Sequence, residues 1–320
     1  MAVALVSSAY TGGIDQILIE FNIGDEVATL GIAVFVLGFA VGPLIWAPMS
    51  ELYGRQVLFF GTYVMLTAFN AGAAGAQNIQ TLLIMRFFAG AFGSSPLTNS
   101  AGVIADLFSA SERGLAMTVF DAAPSLGPSI GPIVGNFLGQ AKGWRWVEGF
   151  LAIFAGSVWV ICSLTVPETH TPAILRRRAA KLSKITGKVY KSKLEIDKGK
   201  TTVAQALRVA LTRPWILLFM EPIVLLLSIF MAIVYGTLYM TFAAFPIVYR
   251  RNRHWSLGIG GLSFIGIGVG IVFAVVYSLW DNKRYAKVSE EYNGKAPPEA
   301  RLPPGMVGSV AIPISLFWFA

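Results

Sequence analysis

The chain has 320 residues, 55% of them hydrophobic and only 13% charged, with a formal net charge of +8 and a mean hydropathy of +0.64. That balance excludes an ordinary water-soluble domain, in which about a quarter of residues are charged, and it points to lipid as the solvent. One cysteine, Cys162, excludes an internal disulfide framework, and two distant histidines, His170 and His254, give no metal-ligand spacing.

Residues 1–10, MAVALVSSAY, are apolar but too short to cross a bilayer at about 1.5 Å per residue, so the first span is expected to be partial. Uncharged runs then predict membrane helices over 28–49, 57–75, 81–105, 114–139, 148–166, 214–240 and 256–280. Most of these reach or exceed the roughly 20 residues that about 30 Å of hydrocarbon requires. The run 56–85 is too long for one span, and Gln77, Asn78 and Gln80 supply its polar hinge. A ninth span starts in PPGMVGSVAIPISLFWFA and is expected to be incomplete.

Between 176 and 213 lie twelve Lys or Arg, and a basic loop beside lipid marks the cytoplasmic side. Alternation then puts nineteen Lys and Arg inside and five outside, with Arg250, Arg251 and Arg253 a local exception. The basic stretch reads as a solvated topological signal with affinity for anionic lipid, rather than as a nucleic-acid site. Within it, TTVAQALRVALTRP sets Val203, Ala206, Leu207, Ala210 and Leu211 opposite Arg208, which predicts a short helix on the cytoplasmic interface. Residues 1–166 are thus expected to form a six-span N-terminal half. Residues 167–213 form a basic cytoplasmic linker with its interfacial helix, and 214–320 form a partial C-terminal half with spans seven, eight and the start of nine. Two helical halves joined by a linker is the plan of many secondary transporters.

The stretch PSLGPSIGPIVGNFLG, 124–139, holds three prolines, with glycines at 127, 131, 135 and 139. Four-residue steps keep those glycines on one helix face, where a neighbouring backbone can approach closely, and lost proline hydrogen bonds are tolerated in a membrane helix. The segment predicts a packed, bent fifth span. Trp144, Trp146, Trp215, Trp255 and Trp280 fall near span ends, as interface anchors do. No HExxH, GxSxG or phosphate-loop motif is present, so neither an enzyme nor a cofactor is expected.

With these motifs the sequence resembles the major facilitator superfamily, and within it the fungal twelve-span drug:proton antiporters that include polyamine and multidrug exporters. Gly127, Pro128, Gly131, Pro132 and Gly135 match that family's antiporter motif, with Asn136 replacing its last glycine. GPLIWAPMSELYGRQ, 42–56, is similar to the signature loop after the second span, through Gly42, Glu51, Gly54 and Arg55. LLIMRFFAGAFGSSPLTNSAGVIADLF matches the fourth span, with Arg86 at the motif arginine, and GWRW, PETH, EPI and FPIVY follow in family order. The fold class implied is an all-α polytopic membrane protein, a major facilitator-type helical bundle with its first span partial and its last spans missing.

In the signature loop, Gly54 permits a tight turn, and Glu51 and Arg55 can pair with each other, with a neighbouring helix end or with lipid headgroups. The resemblance implies a cytoplasmic gate latch there. Arg86, Asp121 and Glu221 are ionisable residues within predicted spans, and such groups are costly enough in lipid to be functional candidates. Arg86 and Asp121 differ in expected depth, which argues against direct pairing. By resemblance Arg86 is linked to proton coupling and Glu221 is the acid of the seventh-span EPI segment. Asp121 stands where the family has a small residue, as a substrate determinant or a vestibule charge.

Two readings follow. The first is a multi-pass plasma-membrane transporter that exports drugs, polyamines or other small organic solutes in exchange for protons by alternating access. Its partners are the lipid bilayer, the solute and protons. The second is a non-transporting membrane fragment from a truncated gene or incomplete gene model, with a partner chain possible only if the truncation is real.

Overall fold

The computed structural model describes residues 1–108, 112–199, 202–292 and 297–319, and among them every regular element is helical. Seven helical stretches are long and apolar enough to cross a membrane. The first departs from expectation. Helix α1 (Ala2–Ala9) does not end near Tyr10 but tightens into a 3-10 turn, Tyr10–Gly13, and continues as α2 (Ile14–Phe21), giving a 20-residue stretch. Thr11, Gly12 and Gly13 read as a loop in isolation. In the fold, Gly12 lies against the backbone of Gly135 and Asn136, and Gly13 against Trp144, so the turn is held helical by its neighbours.

Then follow α3 (Asp25–Tyr53), α4 (Arg55–Ala74), α5 (Ile79–Leu107), α6 (Arg113–Lys142) and α7 (Trp144–Thr165). Two joints are single glycines with positive φ, Gly54 at +98° and Gly143 at +95°, a conformation that costs other residues steric strain. The α4–α5 joint falls at the polar hinge, where the Asn78 side chain caps α5 by accepting from Thr81 N at 2.8 Å. Helix α6 runs unbroken through Pro124, Pro128 and Pro132.

The basic region contains α8 (Thr171–Thr186) and α9 (Lys193–Lys198). Helix α10 (Val203–Met220), opened by a Thr202–Gln205 capping box, runs across residue 213, the expected end of the linker. The single span predicted over 214–240 is divided instead at Glu221, which lies between α10 and α11 (Pro222–Phe245) with φ −106° and ψ 102°. Pro222 explains the break, because a residue before proline is pushed out of the helical region. A π-helical turn, Pro246–Asn252, extends α11, and α12 (Leu257–Gly261), α13 (Ile265–Glu291) and α14 (Pro303–Phe319) complete the chain.

The core gathers around α1, whose residues Ala2–Ala9 are all buried. Val3, Leu5, Val6 and Ala9 pack with Phe35 of α3, Leu66 of α4, Ala89 of α5 and Leu151 of α7. Trp144 is no interface anchor: it is 3% exposed, edge-on to Phe21, with Nε1 donating to Glu20 at 2.7 Å.

Candidate functional site

Three constellations emerge from this packing. The first is centred on Arg86, the largest fully buried side chain among the described residues. From the third turn of α5 its Nη1 donates to Glu148 Oε1 at 2.8 Å, its Nε to Gly31 O at 2.8 Å and its Nη2 to Ser7 O at 3.4 Å. The Tyr10 ring lies 4.0 Å from Cζ, within cation–π range. Arg86 and Glu148 are 0% and 1% exposed, so this is a fully desolvated ion pair. Only one carboxylate oxygen is engaged: Glu148 Oε2 is buried without a hydrogen-bond partner. Farther out, Tyr239 of α11 donates its hydroxyl to Ser7 Oγ at 3.3 Å.

Arg86 therefore pairs with Glu148 and not with Asp121. The sequence reading missed Glu148, although a signal exists: it is the lone carboxylate of α7, in its second turn, and Arg145 is the only other charge in that helix, which begins WRWVEGFLAIF. Asp121 is exposed on α6, and Glu221 is exposed at the α10–α11 joint rather than inside a span.

The second constellation is α6, which touches both parts of the chain. Its glycine face meets α1. A Cβ on Gly127 would stand 2.5 Å from Ala4 Cβ, one on Gly131 3.0 Å from Leu5 O, and one on Gly135 would overlap Ala9 O. Gly127, Pro128, Gly131, Pro132 and Gly135 are all buried. The other face meets α12 and α13: Ser129 Oγ donates to Phe264 O at 2.8 Å, Gln140 Oε1 accepts from Gly258 N at 2.7 Å, and Gly261 abuts Asn136. At this end Asp15 pairs with Arg250 and Asp25 with Arg251, the latter at 3.2 Å, so ion pairs bridge residues 1–25 to the segment after α11.

The third constellation lies at the opposite end, around the signature loop. Glu51 and Arg55 do not pair with each other. Arg55 takes a neighbouring helix end, with Nη2 2.9 Å from Asp106 Oδ2 and Nη1 donating to Asn99 O at 2.9 Å. Glu51 is exposed and offers its backbone oxygen to Arg176 at 3.0 Å. Glu168 Oε1 accepts from Arg55 N at 2.9 Å and from His170 N at 3.1 Å, which caps α4 where the positive φ of Gly54 leaves the helix start open. Burial, and then the Arg55 charge, hold the His170 imidazole below its ordinary pKa, and its Nδ1 is buried without a partner. Gly42 packs against Ser94 and Ala91 of α5. A cavity of about 950 Å³ opens beside this end between α3 and α10–α11, lined by Pro43, Leu44, Glu51, Arg213 and Trp215 among others.

A family model described as the Major Facilitator Superfamily matches residues 1–320. The chain belongs to that superfamily. Within the superfamily it is 68% identical, over all of its length and 54% of the relative's, to an MFS-type efflux pump of Trichophyton rubrum. It is 66% identical, over all of its length and 53% of the relative's, to a major facilitator superfamily multidrug transporter of Aspergillus fumigatus. The chain spans about half the length of these curated relatives. Among solved structures it resembles the superfamily's proton:xylose symporter bound to 6-bromo-6-deoxy-D-glucose, with a TM-score of 0.57 at 18% identity over 88% of this chain and 67% of that one. A partially occluded, inward-open xylose transporter from E. coli gives 0.61 at 19%, over 86% and 68%. At such identities the likeness concerns the fold. Its family and its apolar helices make the protein an integral, multi-pass membrane protein.

Proposed function

We propose that the protein works as a proton-driven antiporter that exports small organic solutes, drugs or polyamines among them, across the plasma membrane by alternating access. The observation that carries this reading is the double contact of α6. One face is locked by glycines against α1, while the other meets α12 and α13 through small residues and a few polar contacts. A helix so placed can stay with one half while the other rocks against it. The cross-pairs Asp15–Arg250 and Asp25–Arg251 close one end, and both are exposed enough to open at a cost of about 1 kcal/mol or less each. The cavity beside the signature loop opens toward the other end, which the basic-residue bias assigns to the cytoplasm. The names of the fungal relatives support export.

In this scheme Arg86 tunes proton coupling, and Gly42, Glu51, Gly54 and Arg55 form the cytoplasmic latch. Gly127, Pro128, Gly131, Pro132 and Gly135 form the seam. Asp121 and Glu221, both exposed, are assigned to contact with solute or protons. The test is accumulation of rhodamine 6G in inside-out plasma-membrane vesicles that carry the native polypeptide. An inside-acid pH gradient should drive accumulation and a protonophore should collapse it. Accumulation indifferent to both would overturn the reading.

A further inference from the structure

We propose that a second cavity, between α4 and α7, binds an uncharged, ring-containing solute that carries hydrogen-bond acceptors and enters from the inner leaflet. Binding rests on the geometry alone, and a role as an intake site for export rests on the antiport reading above.

The cavity measures about 420 Å³, within the range of small-molecule sites, about 300–1,000 Å³. Its walls come from α4 and α7 and, through Pro96 and Ser100, from α5. Helix α10 packs on α3, and α12 and α13 pack on α6, but neither α3 nor α6 contributes to the lining. The cavity therefore lies apart from the contact between the two parts of the chain. Val57 and Phe60 of α4 and Cys162 of α7 line it and are exposed, so the surrounding lipid is the way in. Its mouth lies beside the signature loop, where Gln56 Nε2 donates to Val166 O at 3.0 Å, at the end that the basic-residue bias assigns to the cytoplasm.

The lining selects by charge and by hydrogen bonding. Among the described residues no charged side chain lines it, so an ionic solute or a phospholipid headgroup would lose water there without gaining a counter-charge. What the walls offer is donors. Tyr63, Cys162 and Ser163 make no side-chain hydrogen bond among the described residues, and Trp159 Nε1 is buried without a partner. Buried donors seldom go unmet in proteins, and acceptors on a bound molecule would meet these. They stand at two depths. Ser163 is three residues, about 4.5 Å, in from Val166, and Trp159 is seven residues, about 10 Å, in. A sterol carries its polar group at one end only, whereas a solute with acceptors at two points along its length serves both levels. Phe60 and Trp159, with ring centroids 5.3 Å apart, present aromatic faces on which planar rings stack.

The probe is Nile red, which is uncharged and planar, with a carbonyl and a ring nitrogen that accept hydrogen bonds and no N–H or O–H group. In the native polypeptide in nanodiscs, alkylation of Cys162 by a bilayer-permeant maleimide is followed by peptide mass spectrometry. Saturating Nile red should slow this alkylation several-fold. Perylene, a planar hydrocarbon without acceptors, and ergosterol should leave it unchanged. Trp159→Phe, and Tyr63→Phe combined with Ser163→Ala, keep the rings but remove donors, and each should weaken Nile red binding by about two- to tenfold. Val57→Trp, which fills the cavity from an exposed position, should abolish protection. In liposomes the same variant should lose most pH-driven transport of Nile red yet transport rhodamine 6G, a cation, like wild type, which also shows that it folds.

Unslowed alkylation with Nile red would overturn the site. Equal slowing by perylene would overturn the role of the donors, and slowing by ergosterol alone would make the occupant a lipid and overturn the solute assignment. Transport of the two dyes lost together in Val57→Trp, or kept together, would overturn the intake role. If wild type transports neither dye, the antiport reading is what fails, and alkylation still decides whether the cavity binds the solute.

Discussion

Arg86 and Arg55 make the same chemical contact in two different solvents. Each places a guanidinium nitrogen within 2.9 Å of a carboxylate and adds a backbone carbonyl acceptor. Arg86 and Glu148 are 0% and 1% exposed, whereas Arg55 and Asp106 are 12% and 28% exposed at the rim of the bundle. A rim pair can part because water replaces each partner, and its net worth is about 1 kcal/mol or less. A desolvated pair cannot part without leaving a bare charge, and it changes state most cheaply by neutralisation. The rim arginine therefore suits a contact that opens and closes, whereas the buried pair fixes α5 against α7.

The sharpest way to break this contrast is Arg86→Ala, which strands Glu148. It should cost about 3–5 kcal/mol, seen as a large drop in the thermal midpoint of the detergent-solubilised protein. A loss no larger than that of a rim mutant would show that water already reaches the pair. Next in size is Gly135→Leu, which pushes α1, with Ser7 and Tyr10, away from α6. Overpacking there should cost about 1–3 kcal/mol, while Gly61→Ala, where the added Cβ meets open space, should be neutral or stabilise by up to about 1 kcal/mol. Asp106→Asn should cost about 1 kcal/mol or less in the same assay, because Arg55 keeps Asn99 O. Its larger consequence should be faster thiol labelling at the loop end in a Gln56→Cys variant, and unchanged labelling would sink the latch.

The smallest effect concerns pH. Burial, followed by Arg55, keeps His170 below its usual value of 6.5, so the unfolded chain binds more protons there than the folded one. Stability contributed by this group is therefore complete above about 6.5 and declines as pH falls below it, until the folded imidazole itself titrates. Unfolding midpoints measured across that window should fall on acidification, and His170→Asn should flatten the dependence. A steeper acid loss in the variant would reverse the sign argued here.

Much of the architecture was legible in advance. Hydropathy located α3 to α7, the polar hinge at 77–80 separates α4 from α5 as expected, and the quoted motifs pointed to the superfamily that the family match establishes. One reading failed and two partners went unread, for a common reason. The first helix does not stop at Tyr10, because contacts with α6 and Trp144 hold its glycine turn helical. Of the partners open to it, Arg55 takes the neighbouring helix end, at Asp106, 51 positions along the chain. Arg86 finds a carboxylate 62 positions away. One failure was local: Pro222 was visible, and its effect on Glu221 could have been read from the sequence.

By itself, then, the sequence determined the solvent, the helical class, the family and the face on which α6 carries its glycines, since these depend on composition, on period and on short motifs. Only the tertiary structure decided which charges meet. Pairing in lipid is chosen by depth and by which helices are neighbours, and neither quantity is a property of sequence distance.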